Sequence, residues 1–292
     1  MNLHQANHPN LAAKNKYDRL VGLADHKSDL VTVLDLLLNR DSFAQWCADH
    51  HGKGLGLRFL VDEASPLVLL TGDVGSGKTA LAESVGSAVA ERMDRKVTVL
   101  SVPSDVRGTG LVGELSLRIT EAFRQARAAV AGGIGILIID EGDDLATSRE
   151  QLQAHHEDRA GVNVLLKEID RVGADGLALA VILITNRAEA LDPALLRRAS
   201  LHLRFGRPSA EVLPTLWETI LKGVKHTNQD LADLVEICCT RKPSYSHSDL
   251  VHRVGQASVL AAYREARALT VEDFRRALAL VQPSPEFKVT GL

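Results

Sequence analysis

Eight residues constrain this chain more than any others. Gly72-Asp73-Val74-Gly75-Ser76-Gly77-Lys78-Thr79 follows the apolar run Pro66–Leu70 and precedes a helix-forming stretch from Thr79 to about Arg92. Glycines at 72, 75 and 77 let the backbone curl so that amide N–H groups point inward, making an anion-binding nest. The helix that follows adds the positive end of its dipole at the same place. The spacing G-x-x-x-x-G-K-[ST] is the one that cradles nucleotide phosphates. On this reading Gly72, Asp73, Val74, Gly75, Ser76, Gly77, Lys78, Thr79 and Ala80 bind nucleotide. Lys78 reaches the β- and γ-phosphates, and the Thr79 hydroxyl ligates Mg²⁺. A glycine turn that merely joins strand to helix is the plain alternative.

A second motif lies about 60 residues further on. Ile136-Leu137-Ile138-Ile139 is a short, wholly apolar strand that ends in Asp140-Glu141. Such a strand delivers Asp140 to the Mg²⁺ shell at the carboxyl end of a sheet, where ligands sit in open α/β folds. Glu141 is then placed to polarise an attacking water as general base. Two acids after a strand also occur in solvated turns, so this motif gains its weight from the first. Asn186 follows the apolar run Leu179–Ile184 after one intervening residue, where a polar amide orients a water or senses the γ-phosphate; alone it is more often a turn residue, and the surrounding motifs reverse that reading. Leu191-Asp192-Pro193-Ala194-Leu195-Leu196-Arg197-Arg198 opens with proline at a helix start. Its terminal arginines either complement the negative end of the helix dipole or insert into a neighbouring subunit's nucleotide site.

Strands at Pro66–Leu70, Val97–Val102, Ile136–Ile139, Leu179–Ile184 and Leu201–Phe205 alternate with helical stretches near 79–92, 115–130 and 159–171. Continuous apolar strands alternating with helices predict a parallel sheet covered on both faces. Beyond Pro208 the β-branched runs stop, and helices are expected at Ala210–Leu221, Gln229–Cys239, Ser248–Ala268 and Val271–Val281. Thr270 is an expected N-cap there, with Asp273 three residues on. Ahead of the sheet, Leu30, Val33, Leu34, Leu37 and Leu38 recur at helical spacing. The expected division is a flexible polar segment over 1–20, an α/β domain over 21–208 and a helical domain over 209–292.

Net charge is -3, which offers no general attraction to nucleic acid or an acidic membrane. Three cysteines, Cys47, Cys238 and Cys239, lack metal-ligand spacing and fit a reducing compartment, with the adjacent pair packed in a helix. No signal peptide or apolar run of membrane-spanning length is visible, so a cytoplasmic protein is expected.

The ordered set Gly72–Thr79, Asp140-Glu141, Asn186 and Asp192-Pro193-Ala194-Leu195 with Arg198 resembles the AAA+ ATPases across roughly residues 20–282. That resemblance implies a P-loop α/β domain with a five-stranded parallel sheet of order 5-1-4-3-2 and a small all-helical lid. It also implies ATP and Mg²⁺ as ligands and a homo-oligomer, commonly a hexameric ring. Glu141, Asn186, Arg198 and, as a second candidate, Arg197 become the catalytic set; Thr79 and Asp140 become the metal ligands. Arg159–Asp170 and Arg198–Ser209 look like the corresponding segments of the pachytene-checkpoint branch, remodellers of HORMA-domain proteins. Bacterial forms are associated with cyclic-nucleotide anti-phage defence. The resemblance puts Leu111 and Val112 in the first pore loop, where relatives carry an aromatic, and His155 and His156 in the second. Eukaryotic members carry a recognition domain before the motor, whereas 71 residues precede Gly72 here. In the lid, Ser248 stands where some relatives place a nucleotide-sensing arginine, with Arg253 a possible substitute. The implied function is ATP-driven remodelling of a bacterial HORMA-domain protein. The alternatives are a nucleic-acid-associated AAA+ ATPase, such as a transposition helper or clamp loader, and a nucleotide-gated assembly module with negligible turnover.

Overall fold

The computed structural model describes residues 2–52, 55–103, 114–140 and 156–286. These fall into two compact units. One is drawn from Met1–Arg19, Asp25–Thr71 and Thr79–Arg204, the other from Leu20–Ala24, Gly72–Lys78 and Phe205–Leu292.

The first unit carries, in chain order, β1 (His4–His8), α1 (Leu11–Asp18), α2 (Ala24–Leu38), α3 (Arg40–His51), α4 (Phe59–Asp62), β2 (Leu67–Gly72) and α5 (Lys78–Met93). There follow β3 (Val97–Ser101), α6 (Glu114–Ala129), β4 (Gly135–Ile139), α7 (His156–Ala174), β5 (Leu179–Thr185), α8 (Pro193–Arg198) and β6 (Ala199–Phe205). The sheet runs β1-β3-β4-β5-β2-β6. Pairs β3/β4, β4/β5 and β2/β5 are parallel, with Leu69 opposite Leu183 and Leu137 opposite Val181. Every residue of β4 and β5 is buried, which is why these strands are continuously apolar instead of alternating. One face of the sheet, with Leu67, Leu69, Leu137 and Leu183, packs on Ile119 and Phe123 of α6 and on Val162, Leu165 and Ile169 of α7. Arg127 of α6 ties the two helices together through Glu168, at 2.7 Å with the carboxylate 6% exposed.

A five-stranded sheet with a flexible leading segment was the expectation for this region, and the structure corrects it. Residues His4–His8 form a sixth strand, antiparallel to β3, with Ala6 opposite Val99. The sheet is therefore mixed. Its first four side chains are exposed, so an edge strand of this kind needs only backbone pairing and leaves no apolar alternation to read. His8 alone turns inward, 2% exposed, with Nδ1 2.9 Å from the Ser87 hydroxyl. Ahead of the sheet, α3 continues through His51.

The second unit is helical beyond β6: α9 (Leu213–Ile220), α10 (Asn228–Thr240), a π-type segment (Asp249–Val254), α11 (Gly255–Arg264) and α12 (Val271–Leu280). Its core closes around Trp217, fully buried and edge-on to Phe274 at 5.8 Å. Thr227 with Asp230 and Thr270 with Asp273 form reciprocal capping boxes that start α10 and α12. The single helix expected over Ser248–Ala268 is instead a π-type segment followed by α11, which ends at Arg264. Of the cysteine pair, Cys238 is buried and Cys239 exposed.

Candidate functional site

Within the second unit, Gly72–Lys78 forms a loop whose glycines are each required by geometry. Gly72 has φ +129°, and a Cβ there would lie 1.9 Å from the Phe205 carbonyl oxygen. Gly75 has φ +73°, and its Cβ would lie 2.8 Å from Cβ of Ser248 and 3.0 Å from Oγ of Ser246. Gly77 has φ +101°. These are left-handed values that residues with a Cβ adopt only at a cost. The Lys78 side chain is folded into the loop, 4% exposed, and its ammonium donates to the carbonyls of Gly72 at 2.9 Å and Asp73 at 2.6 Å. The Ser76 hydroxyl donates to the Asp73 carbonyl at 2.7 Å. A cation held by main-chain oxygens inside a glycine loop at a helix start is the arrangement that takes a polyphosphate.

The first unit holds the metal candidates. Thr79, in the first turn of α5, donates its hydroxyl to Asp140 at 2.6 Å, immediately beyond the end of β4. Two residues 61 positions apart are thus brought to one point as hydroxyl and carboxylate, the hard oxygens that suit Mg²⁺. Among the described residues, no group of three or more His, Cys, Asp or Glu forms a metal cluster. Asn186 directly follows β5 and is half-buried, and the Arg187 amide donates back to the Thr185 hydroxyl at 3.0 Å. Asp192 caps α8 by accepting from the Ala194 amide at 2.8 Å, and buried Leu195 anchors that short helix. Arg197 at its end is exposed. Arg198 grips Asp170 of α7 through Nε at 2.9 Å and a second nitrogen at 3.2 Å, and its guanidinium is held further toward the charged form by those bonds. Glu141, Leu111, Val112 and His155 lie outside the described residues, and His156 opens α7 with its side chain outside them.

Three features go beyond the sequence reading, which places Ser248 in the lid without its contact to the loop. Residues Leu20–Ala24 belong to the same unit as the glycine loop: Leu23 lies 3.2 Å from where a Gly77 Cβ would be, and Gly22, at φ +75°, sits against Val212 and His247. Ser246 and Ser248 flank the loop, and the Ser248 amide donates to the Gly75 carbonyl at 3.0 Å. Arg207 pairs with Asp73 at 2.5 Å, with only 7% of its side chain exposed. The motif Gly22-Leu23 was visible as a glycine outside any helix, but long-range contacts of this kind leave no local signal. Arg253, considered as a nucleotide sensor, is instead bound to Asp249 at 2.7 Å and to the Gln282 carbonyl at 2.8 Å.

Residues 68–207 match the model of the ATPase family associated with various cellular activities (AAA). The chain belongs to that family, and nucleotide binding goes with it. Within it the chain is similar to CD-NTase-associated protein 6 of Escherichia coli strain MS 115-1, 38% identical over 293 residues that cover 96% of this chain and 94% of that protein. It is also similar to a chain in the structure of the E. coli MS115-1 HORMA:CdnC:Trip13 complex, with a TM-score of 0.91, 37% identity and 98% of each chain covered. The structure of Rhizobiales Trip13 matches at a TM-score of 0.75 and 31% identity, covering 98% of this chain and all of that one. No helix among the described residues is long and apolar enough to cross a membrane.

Proposed function

We propose that this chain is an ATP-driven remodeller of a bacterial HORMA-domain protein and so a regulator of cyclic-nucleotide anti-phage signalling. The observation that carries the reading is the near-complete mutual coverage with a chain of the HORMA:CdnC:Trip13 complex at a TM-score of 0.91. A likeness spread over 98% of both chains extends past the ATPase core to the parts that distinguish one AAA protein from another.

The nucleotide chemistry follows from the residues. The amides of Gly75–Lys78 and the Lys78 ammonium bind the phosphates, and Thr79 and Asp140 hold Mg²⁺, which when bound neutralises charge developing between the β- and γ-phosphates. Glu141 takes the proton of the attacking water and Asn186 orients it. Arg198 serves the site of the adjacent subunit in a homo-oligomeric, hexameric ring, with Arg197 as the second candidate. The Arg198–Asp170 pair is solvent-exposed at 37% and 54%, so its net worth is under about 1 kcal/mol and a neighbour's phosphate competes for the arginine readily. Leu23 and the Ser246–Ser248 turn flank the nucleotide beside the phosphate loop. Leu111 and Val112, backed by His155 and His156, grip an extended segment of substrate in the central pore. The domains divide functionally at 21–208 and 209–292, and the protein works in the cytoplasm.

The test uses the full chain, ATP and a preformed complex containing a bacterial HORMA-domain protein, followed by size-exclusion chromatography. Dissociation by wild type and not by Leu111→Asp, with ATP turnover kept in both, is the expected result. No effect on any HORMA complex, with ATPase activity stimulated by DNA instead, overturns the reading in favour of a nucleic-acid-associated AAA protein.

A further inference from the structure

The second residue of the phosphate loop is an aspartate, and its place is chemically awkward. Asp73 puts a carboxylate into the segment that must receive a polyphosphate, and like charges at that range repel. Only 14% of that carboxylate side chain is exposed, so water does little to screen it. One oxygen accepts from the Val74 amide at 2.9 Å, and the other accepts from Nε of Arg207.

Arg207 does more than pair. Its remaining nitrogens donate to the carbonyls of Ser244, of Ser284 at 2.9 Å and of Pro285 at 2.9 Å. Those carbonyls belong to the turn before the π-type segment and to the stretch that follows α12. Ser284 is itself fixed, because its amide and hydroxyl donate to Asp249 at 3.0 and 2.7 Å. Asp249 is 1% exposed and also accepts from the Ser246 amide at 3.1 Å and from Arg253 at 2.7 Å. Burial works against its ionisation, yet the bonds from Ser284, Arg253 and Ser246 together hold its carboxyl well below the usual range. Ser246 and Ser248 then lie against Gly75. The chain of bonds therefore leaves the phosphate loop at Asp73, passes through Arg207, Ser284 and Asp249, and returns to the loop at Gly75. Every member lies in one compact unit. A lysine could not replace this hub, since it lacks the planar fork that reaches a carboxylate and three carbonyls together.

We propose that Arg207 is a positioning residue of the nucleotide site: it neutralises Asp73 and fastens the phosphate loop to the segment Gln282–Glu286. The inference rests on the nucleotide reading above. Its distinctive consequence is one of charge. Without Arg207 the Asp73 carboxylate stands uncompensated next to the phosphates, so the damage is undone by removing the carboxylate as well.

The experiment is isothermal titration calorimetry of the full chain with Mg²⁺ and ADP at low ionic strength. Arg207→Met is expected to weaken ADP binding on the order of tenfold. The double variant Arg207→Met/Asp73→Asn is expected to recover most of that loss, because the amide keeps the Val74 bond without the charge. Asp73→Asn alone is expected to bind ADP more tightly than wild type, since Arg207 then adds net positive charge. Equal weakness of the single and double Arg207 variants overturns the proposal, as does Asp73→Asn binding ADP no more tightly than wild type. Should Arg207→Met fail to fold, as judged by circular dichroism and melting, the Asp73→Asn arm still decides. Lys78→Ala separates the two levels. If it binds ADP like wild type, the nucleotide reading itself falls. If it loses ADP while Arg207→Met keeps wild-type affinity, only the Arg207 proposal falls.

Discussion

Replacing Gly75 by alanine tests the geometry of the phosphate loop at a single methyl group. Two costs follow from the structure. At φ +73° an L residue carries a backbone penalty of about 1–2 kcal/mol. The added Cβ also falls 2.8 Å from Cβ of Ser248, closer than such atoms approach, and Ser248 cannot slide freely because its amide is bonded to the Gly75 carbonyl. Overpacking of that kind costs roughly 1–3 kcal/mol. The sum, about 2–5 kcal/mol, is taken from stability if the loop keeps its shape and from affinity if the loop yields. Thermal melts with and without Mg²⁺ and ADP, combined with calorimetric Kd values, measure both parts together. Each 1.4 kcal/mol that appears as affinity is a tenfold weaker Kd. A second substitution, Ser248→Gly in the Gly75→Ala background, removes the clash and leaves the backbone strain. It is expected to return about half of the lost affinity in free-energy terms. A combined loss below about 1 kcal/mol in Gly75→Ala, or no recovery on adding Ser248→Gly, refutes the reasoning.

Two further predictions rest on single residues. The Ser87 hydroxyl donates to the Asn10 carbonyl and accepts from the Asn10 amide, so His8 must donate to it from Nδ1; Nε2 is left buried with no hydrogen-bond partner among the described residues. Burial lowers the His8 pKa, so the unfolded chain takes the proton first: the His8 contribution is full above the ordinary histidine pKa and is lost as pH falls below it. Melting temperature should therefore fall more between pH 7.5 and 5.5 in wild type than in His8→Gln, and equal slopes would discount His8. Arg198→Ala should bind nucleotide yet hydrolyse it slowly, on the order of 10³-fold or more for an arginine finger. Mixing it with Glu141→Gln subunits should restore some activity, and no recovery at any ratio despite co-assembly would leave Arg198 a purely structural partner of Asp170.

How much of this was legible beforehand depends on how local each signal was. The phosphate loop could be read because its glycines and Lys78 lie within eight residues and the conformation itself demands them. Asp140 could be read because a fully buried parallel strand has to be apolar throughout, which makes the first charged residue after Ile139 conspicuous. β1 could not, because an exposed edge strand such as His4-Gln5-Ala6-Asn7 needs nothing from its side chains. The π-type segment at Asp249–Val254 was hidden for a related reason: its residues are compatible with an ordinary helix, and the bonds that shape it come from Ser284, 35 positions away. Arg207 entered the sequence reading only as part of the Arg198–Ser209 segment. Its importance is a matter of three-dimensional partners at positions 73, 244, 284 and 285, which no window along the sequence contains.

ATP hydrolysis through Glu141, with Thr79 and Asp140 on Mg²⁺, is the step on which the proposed function turns. The most direct measurement pairs ATP binding with phosphate release for wild type and Glu141→Gln. Removing the base leaves the phosphate and metal contacts intact, so the variant should bind ATP as tightly as wild type while releasing phosphate at a rate indistinguishable from the no-enzyme control. Phosphate release at near wild-type rates by Glu141→Gln would contradict the account.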